Sequence, residues 1–345
     1  MASYQETQSQ NLADNLNNPT HHSQNPKKAI VLLNMGGPNS LSEVKMFLQN
    51  MFNDPLILPI KSNFFRSLLA SFITNKRLEE AQHNYQQIGG KSPLVTHTFN
   101  LCKILESLDS SYFYTYAMRY TPPFAFDVAK ELKNKGIENL VLFSLYPHYS
   151  HTTIKSSYED FIQALKKANY TPKITYIPHY FEDLNYNQAI IERICESLKE
   201  SKAEDFHLVF SAHSLPQKNI NQGDPYQKEI LENVAILKNL LQSQNLNFKS
   251  IATAYQSKIG PIKWLEPNLK DILPKYKNQN LLIYPIAFSM DNSETDFELS
   301  IQYRALAQEV GICDYRVCQC LNASQTFAKA ILKLTDEALG DCHYV

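Results

Sequence analysis

The sequence lacks the features that mark several large classes of protein. Its 33 Lys and Arg residues nearly balance 34 Asp and Glu, for a formal net charge of −1. Without a basic excess we expect no nucleic-acid partner. No apolar run approaches the roughly 18 residues that cross a bilayer. The first residues show neither the basic nor the apolar region of a signal peptide, so we expect a cytoplasmic protein with reduced cysteines.

The glycine motifs of nucleotide-binding and hydrolase sites are also missing. The turns GGP at residues 36–38 and IGGKSPL at residues 88–94 match neither GxGxxG nor GxxxxGK[ST]. No GxSxG stretch is present, so a nucleophile elbow is not supported either. These absences exclude a Rossmann dinucleotide site, a P-loop and an α/β-hydrolase site from the expected functions.

The six cysteines do not form a recognisable cluster motif. Cys313, Cys318 and Cys320 are spaced as C-x4-C-x-C, and with Cys102 or Cys195 they would supply four thiolates. This spacing is not one of the standard ligand runs of iron–sulfur proteins. Because Cys195 also falls within the helical pattern ERICESL, we expect neither an iron–sulfur cluster nor another tightly bound cofactor.

What the sequence does contain is a regular alternation of apolar runs and helical patterns. Residues 1–26 are rich in Asn, Gln and Ser and are expected to form a disordered tail. After them, unpatterned apolar runs alternate with segments of three-to-four-residue apolar spacing, which predicts an α/β fold with parallel sheets covered on both faces. The seven predicted strands are KKAIVLLN, YFYTYAM, NLVLFSLYP, KITYIP, FHLVFSA, SIATAYQS and NLLIYPIAF.

The length of the chain fits two such sheets. The turn-like string NYTPK at residues 169–173 interrupts the rhythm and predicts a boundary there. The predicted organisation is a first domain over residues 27–170 and a second over 171–320. A C-terminal helix in residues 321–345 is expected to pack back on the first domain.

Several polar residues follow directly after predicted strands. Ligands of open parallel sheets bind beyond the carboxyl ends of the strands. His213, in FSAHSLP, lies at such an end, where an imidazole can move a proton near neutral pH or bind a metal. A solvent-facing or buried structural histidine is the alternative. The other strings at strand ends are MRYTPP, YPHY, YQSK and FSMDNSE.

A second candidate feature is a row of polar residues in the segment 289–310. Glu294, Glu298 and Gln302 recur every four residues, so they share one face of a predicted helix. Two interpretations stay open. The row is either an ordinary solvated helix face or a carboxylate track that guides a divalent cation inward or protons outward.

Eight strings, in order, resemble the ferrochelatase family. They are LLNMGGP, LPI, IGGKSPL, MRYTPP, YPHYS, FSAHSLP, YQSKIGPIKWLEP and PIAFSMDNSET, and they cover nearly the whole chain after Lys27. The resemblance implies two Rossmann-like domains, each a four-stranded parallel sheet, with a porphyrin cleft between them. It implies a lyase that inserts ferrous iron, as substrate, into protoporphyrin IX to form protohaem, the last step of haem biosynthesis.

The resemblance also implies roles for individual residues. His213 and Glu294 would be the catalytic and metal-contacting residues, on opposite sides of the macrocycle centre. Many family members have a histidine where this chain has Asn292, which removes a proton-transfer group. The substrate-binding residues would be Arg119, Tyr120, Trp264 and Phe288, and the proton or metal path would include Glu298 and Asp291.

Residues 56–73 match the family's lip over the cleft, and two interpretations of them remain. The segment has an apolar face with Lys61 and Arg66, which suits peripheral contact with an anionic inner membrane, and equally a buried helix with two solvated cations. Rival functions are a chelatase for cobalt, coproporphyrin or sirohydrochlorin, or a non-catalytic tetrapyrrole carrier. A carrier would need the cleft but not His213 and Glu294 together.

Overall fold

Two parallel sheets of the same strand order organise the chain. The computed structural model describes residues 26–258 and 260–340, so the predicted tail lies outside it except for its last residue. The first sheet, ordered β2-β1-β3-β4, contains β1 (Lys28–Asn34), β2 (Tyr112–Met118), β3 (Asn139–Ser144) and β4 (Lys173–Ile177). The second, ordered β6-β5-β7-β8, contains β5 (Phe206–His213), β6 (Ser250–Gln256), β7 (Asn280–Pro285) and β8 (Asp314–Val317). All pairings are parallel, which confirms the predicted fold class.

Helices flank both sheets. They are α1 (Val44–Phe52), α2 (Asn63–Gln87), α3 (Leu94–Leu108), α4 (Ala125–Asn134), α5 (Ser156–Lys167), α6 (Leu184–Leu198), α7 (Gln217–Asn221), α8 (Tyr226–Ser243), α9 (Leu269–Ile272), α10 (Tyr303–Val310) and α11 (Gln325–Leu339). Segments of wider π-helix, His151–Lys155 and Glu294–Gln302, lead directly into α5 and α10. None of the helices within the described residues has the length and apolarity needed to cross a membrane.

The central strands are buried on both faces, which explains their unbroken apolar runs. Ala29 to Leu33 in β1 and Leu281 to Tyr284 in β7 are almost fully buried. The largest apolar core contains residues of both sheets, among them Leu32, Phe143 and Phe210. The two domains are therefore joined by one continuous core rather than by a thin linker.

The first sheet extends past the predicted domain boundary. Lys173–Ile177 pairs with β3 as the fourth strand of that sheet, so the boundary near residues 169–173 was placed too early. The string NYTPK is the turn between α5 and β4, and Asn169 there has a left-handed backbone with φ of 49°. The chain leaves the first sheet only after Ile177.

The C-terminal helix α11 packs against elements of the first half of the chain. Its neighbours are α3, β4 and α6. Phe327 on α11 is fully buried, and its ring lies 6.1 Å from that of Tyr180 and 6.3 Å from that of Tyr186. Aromatic rings at these separations add to the burial term.

The packing of α11 can be tested by truncating its central ring. Phe327→Ala is expected to lower the free energy of unfolding by about 3–5 kcal/mol, because a large buried ring leaves a cavity. Urea denaturation measures the change. Lys329→Ala, on the exposed face of the same helix, should stay within about 0.5 kcal/mol of the parent. Equal effects of the two substitutions would contradict a docked α11.

Candidate active site

The site lies at the carboxyl edge of the second sheet, between β5 and β7. From the central strand β5 the chain leads to β6 on one side, whereas from β7 it leads to β8 on the other. Neighbouring strands whose connections diverge leave a crevice at their carboxyl ends. His213 is the last residue of β5, and Glu294 begins the helical segment after β7. Topology alone therefore brings these two side chains to one crevice.

His213 and Glu294 are hydrogen-bonded to each other. Nδ1 of His213 lies 2.8 Å from Oε2 of Glu294. The same oxygen accepts from Oγ of Ser257 at 2.9 Å and from Nε2 of Gln256 at 3.3 Å. Behind the pair, the hydroxyl of Tyr226 donates to the backbone carbonyl of His213 at 2.9 Å. These contacts fix the imidazole in direction and leave its Nε2 facing away from Glu294.

This geometry overturns the expectation that a flat ring lies between His213 and Glu294. Two groups in direct hydrogen-bond contact leave no space for a macrocycle. Both side chains lie at the same edge of the same sheet, His213 at the end of β5 and Glu294 in the segment after β7, so they are on the same side of the crevice.

Glu298 joins the pair through Ser257. The backbone N–H of Ser257 donates to Oε1 of Glu298 at 2.9 Å, and its hydroxyl contacts Oε2 of both Glu298 and Glu294. Both carboxylates are half-buried, whereas Gln302 at the end of the row is exposed. The row is therefore more than a solvated helix face at its first two positions, and it reaches solvent at the third.

The charges of this cluster shift one another's proton affinities. Burial by itself lowers the pKa of His213, but the adjacent Glu294 carboxylate outweighs it, and the pKa is raised. For Glu294, burial favours the neutral form, yet His213 and its other donors bring the pKa below the usual value. Burial and the charge of Glu294 raise the pKa of Glu298 to about 7. Of the two carboxyls, Glu298 is therefore the one with a pKa near neutral pH.

Asn292 and Asp291 shape the loop before Glu294. The side-chain oxygen of Asn292 accepts from the N–H of Glu294 at 2.8 Å, so it caps the segment that carries the carboxylate. Asp291 accepts from the N–H of Cys320 at 3.1 Å and from the amide of Asn322 at 2.6 Å. Both oxygens of Asp291 are therefore engaged with the loop after β8, and its place in a proton or metal path stays a prediction.

The predicted substrate-binding residues occupy different surroundings. Trp264 is half-buried, and its backbone pairs with Pro216, just beyond His213. Phe288 is buried in the largest core. Tyr120 is also buried, and both it and Arg119 are bonded to Asp54. Their contact with a substrate stays a prediction for all four.

Residues of the first domain contact the segment that precedes Glu294. Ser289, after β7, donates its hydroxyl to the carbonyl of Leu145, after β3. Tyr85 at the end of α2 donates to Oγ of Ser293 at 3.3 Å, next to Glu294. The carboxyl edges of the two sheets thus meet around the crevice.

A close backbone approach shapes the MGGP turn after β1. Gly36 has φ of +84°, and a Cβ there would come within 2.2 Å of Oγ1 of Thr121. Only glycine fits this position. The turn is thereby held against the end of β2, at the carboxyl edge of the first sheet.

The cysteines show no ligand arrangement within residues 26–258 and 260–340. Cys318 and Cys320 are buried, while Cys195 and Cys313 are exposed. Burial raises the pKa of Cys318 to about 12. No group of three or more His, Cys, Asp or Glu side chains in the described part of the chain is arranged to hold a metal ion.

Sequence reasoning did not single out Ser257, Gln256 or Tyr226. The string YQSK was recognised as a strand end, and that position was the available signal for the first two. Tyr226 lies in a helix thirteen residues after His213, and nothing in the sequence indicates its bond to a carbonyl.

Comparison with known proteins gives one consistent result. A family model described as Ferrochelatase matches residues 27–339. A ferrochelatase of Wolinella succinogenes is 58% identical over 90% of this chain and 98% of its own length. One from Helicobacter hepaticus is 52% identical over 88% and 98%. Among solved structures, a multi-domain Deinococcus radiodurans protein described as similar to chelatases matches with a TM-score of 0.52 and 10% identity, over 90% of this chain and 55% of that one, which shows the fold.

The influence of Glu294 on His213 can be measured in the metal-free protein. In Glu294→Gln the pKa of His213 should fall, because burial then acts without the opposing charge. NMR titration of the imidazole reports it. Glu309→Gln, an exposed carboxylate on α10, should leave the pKa where it is. An unchanged pKa in Glu294→Gln would show that the two groups are not paired in solution.

Proposed function

The chain belongs to the ferrochelatase family, and we propose that it inserts ferrous iron into protoporphyrin IX through the bonded pair His213 and Glu294. It is a lyase of haem biosynthesis. The observation that carries the residue assignment is the 2.8 Å hydrogen bond between imidazole and carboxylate at the crevice between β5 and β7. Proton acceptance and metal handling both need such a pair on one wall.

His213 accepts protons from the porphyrin. Insertion replaces two pyrrole N–H protons by one Fe²⁺, so two protons must leave for each metal that enters. Because Nδ1 of His213 is bonded to Glu294, Nε2 is the atom left to take a proton. The carboxylate stabilises the imidazolium that forms, which is the usual function of an acid behind a catalytic histidine.

Glu294 handles the metal with its second oxygen. Three donors occupy Oε2, while Oε1 has no hydrogen-bond partner among the described residues. An imidazole nitrogen and a carboxylate oxygen suit a borderline divalent cation. Only two ligands would hold Fe²⁺ weakly, which is appropriate for a substrate that must move on to the porphyrin nitrogens. Nε2 of His213 is the atom available for both contacts, with iron and with a pyrrole proton, and it makes them at different stages of the reaction.

Protons leave through Ser257 and Glu298. A hydroxyl has one hydrogen, so Ser257 can donate to only one of its two carboxylate neighbours at a time. The imidazolium returns to neutral imidazole when its Nδ1–H proton passes to Glu294, and this proton can pass to Ser257 while the hydroxyl hydrogen passes to Glu298. The pKa of Glu298, near 7, suits release to solvent toward the exposed end of the row. This supports the carboxylate-track interpretation.

The residues that line the cleft bind the porphyrin and distort its macrocycle. Trp264, whose backbone pairs with Pro216 just beyond His213, offers a ring surface, and pressure on a flat macrocycle would turn its nitrogen lone pairs toward the metal. Strain of about 1–5 kcal/mol can be drawn from remote binding energy. No resident cofactor takes part, since the iron enters as substrate and leaves in the product.

Removal of the two catalytic groups tests the proposal. In anaerobic assays with Fe²⁺ and protoporphyrin IX, His213→Ala should lower the insertion rate by about 10²–10⁴-fold. Glu294→Gln should lower it by about 10- to 100-fold. Absorbance of the product measures the rate, and porphyrin fluorescence measures binding, which should persist in both variants. Glu309→Gln serves as the matched control. Near-parental rates in His213→Ala would remove the imidazole from the reaction.

We also propose that the protein is cytoplasmic and contacts the inner membrane peripherally through α2. The first half of α2 exposes Phe64, Phe65, Leu68 and Phe72, at 72%, 62%, 61% and 65% of their surfaces. These positions share one helix face. Arg66 is buried and bonded to the carbonyls of residues 53 and 60, so the alternative of a buried apolar helix with two solvated cations is wrong. An apolar face beside exposed lysines suits an anionic bilayer.

Flotation with vesicles tests this contact. The chain should float with vesicles of phosphatidylglycerol and phosphatidylcholine. Combining Phe65→Ala, Leu68→Ala and Phe72→Ala should weaken partitioning by about tenfold or more, because each ring or branch contributes about 1.5–3 kcal/mol when buried. Leu231→Ala, which truncates an exposed leucine on α8, is the control. Equal flotation of all variants would exclude α2 as the contact.

A further inference from the structure

A buried aspartate outside the active site, Asp54, accepts hydrogen bonds from four different residues. Asp54 is 2% exposed. Its Oδ2 accepts from the hydroxyl of Tyr120 at 2.9 Å, from the hydroxyl of Ser156, and from Nη2 of Arg119 at 3.1 Å. Its Oδ1 accepts from the N–H of Leu56 at 2.8 Å. A buried carboxylate with this many donors is fully compensated, and loss of any one leaves the rest poorly matched.

Each nitrogen of the Arg119 guanidinium has a partner in the same cluster. Besides Asp54, its Nη1 contacts Oδ1 of Asp160 at 3.3 Å, and its Nε donates to Ser156 at 2.9 Å. All three nitrogens therefore have protein partners. These contacts use three of the five N–H donors of the guanidinium and hold it in one orientation.

Asp54 lies at the base of a helical cap over the first sheet. We define the cap as residues 44–87, which comprise α1, α2 and the segment between them. Its small apolar core includes Phe47 and Tyr85, and the ring of Tyr120 completes it. Asp54 fixes the turn after α1, since the N–H groups of Ile57 and Leu58 bond to its carbonyl.

The cap reaches the catalytic crevice at its other end. Tyr85, in the last turn of α2, donates to Ser293, the neighbour of Glu294. The cap is thus bonded to residues after β2 through Asp54 and Asn50, and to the second domain through Ser293. The cap therefore connects the Asp54 cluster to the residue next to Glu294.

We propose that Asp54 is a positioning residue for porphyrin binding, and that Arg119 and Tyr120 act through it rather than on the substrate. The inference rests on the proposed function, because the ligand of the cleft is taken to be a porphyrin. Asp54 ties the cap to Arg119 and Tyr120 at the end of β2 and to Ser156 at the start of α5. The cluster gives the cap one fixed height above the sheet, and the porphyrin binds in the space this leaves.

The test compares two buried aspartates. Asp54→Asn keeps the shape of the side chain and removes its charge. It should raise the dissociation constant and the KM for protoporphyrin by about tenfold, as misplacement of a supporting element does, while the KM for Fe²⁺ changes by less than about twofold. Asp183→Asn is the matched control, because Asp183 is also buried, caps a helix through Tyr186 and pairs with Lys333, but lies outside the cap. It should lower thermal stability without changing either constant.

A second comparison separates positioning from direct binding by Arg119. The dimethyl ester of protoporphyrin lacks both carboxylates. Arg119→Gln and Asp54→Asn should each weaken the free acid and the ester to the same degree. A loss confined to the free acid in Arg119→Gln would show that Arg119 binds a propionate and would overturn the proposal.

Further outcomes keep the two proposals distinct. If Asp54→Asn does not fold, Tyr120→Phe removes one bond to Asp54 and should weaken both porphyrins by about two- to fivefold. Parental binding by Asp54→Asn, or by Tyr120→Phe in its place, would refute the positioning role and leave the proposed function intact. A parent protein that neither binds nor metallates protoporphyrin would refute the proposed function itself.

Discussion

One carboxylate oxygen, Oε2 of Glu294, is the acceptor on which the site depends. Its donors are His213 at the end of β5, Gln256 at the end of β6, and Ser257 directly after it. The ends of β5 and β6 are therefore joined to the segment after β7 at a single atom. A half-buried charge of this kind is favourable only when its partners are in place, and charge-assisted bonds are stronger than neutral ones. The fold supplies the partners before any substrate arrives, so the direction of the imidazole does not depend on the ligand.

The sheets were largely predictable from the sequence because their strands are buried on both faces. Continuous apolar runs gave seven of the eight strands that the structure describes, whereas β8 was missed. Asp314–Val317 has four residues, two of them charged, and its pairing with β7 comes from position rather than pattern. The π-helical form of Glu294–Gln302 was not predictable either, because a four-residue spacing is compatible with both kinds of helix.

The location of the candidate site was predictable from the sequence, but the arrangement of its side chains was not. The strand-end rule placed His213, Glu294 and the YQSK string at one edge. It could not say that the first two touch, since sequence gives the strand to which a residue belongs and not the direction of its side chain. The partner of Arg119 and Tyr120 was equally hidden, because Asp54 lies more than sixty residues earlier in the chain. The apolar face of α2 showed its period in the sequence, but only the fold shows that Phe64 and Phe72 are exposed within the part of the chain that the structure describes.

The two sheets share one strand order, but the equivalent strands β1 and β5 end on different residues, and this affects how a planar ligand would be bound. The central strand of the second sheet ends on His213, whereas the central strand of the first ends on Asn34, whose side chain bonds the N–H of Met35. A neutral amide thus stands at the position equivalent to the imidazole. A planar ligand between the two sheet edges would therefore meet the ionisable pair His213 and Glu294 on one face. On the other face it would meet the neutral side chain of Asn34. The two faces of a planar ligand held between these edges would therefore meet chemically different groups, and only the face toward His213 would meet a base.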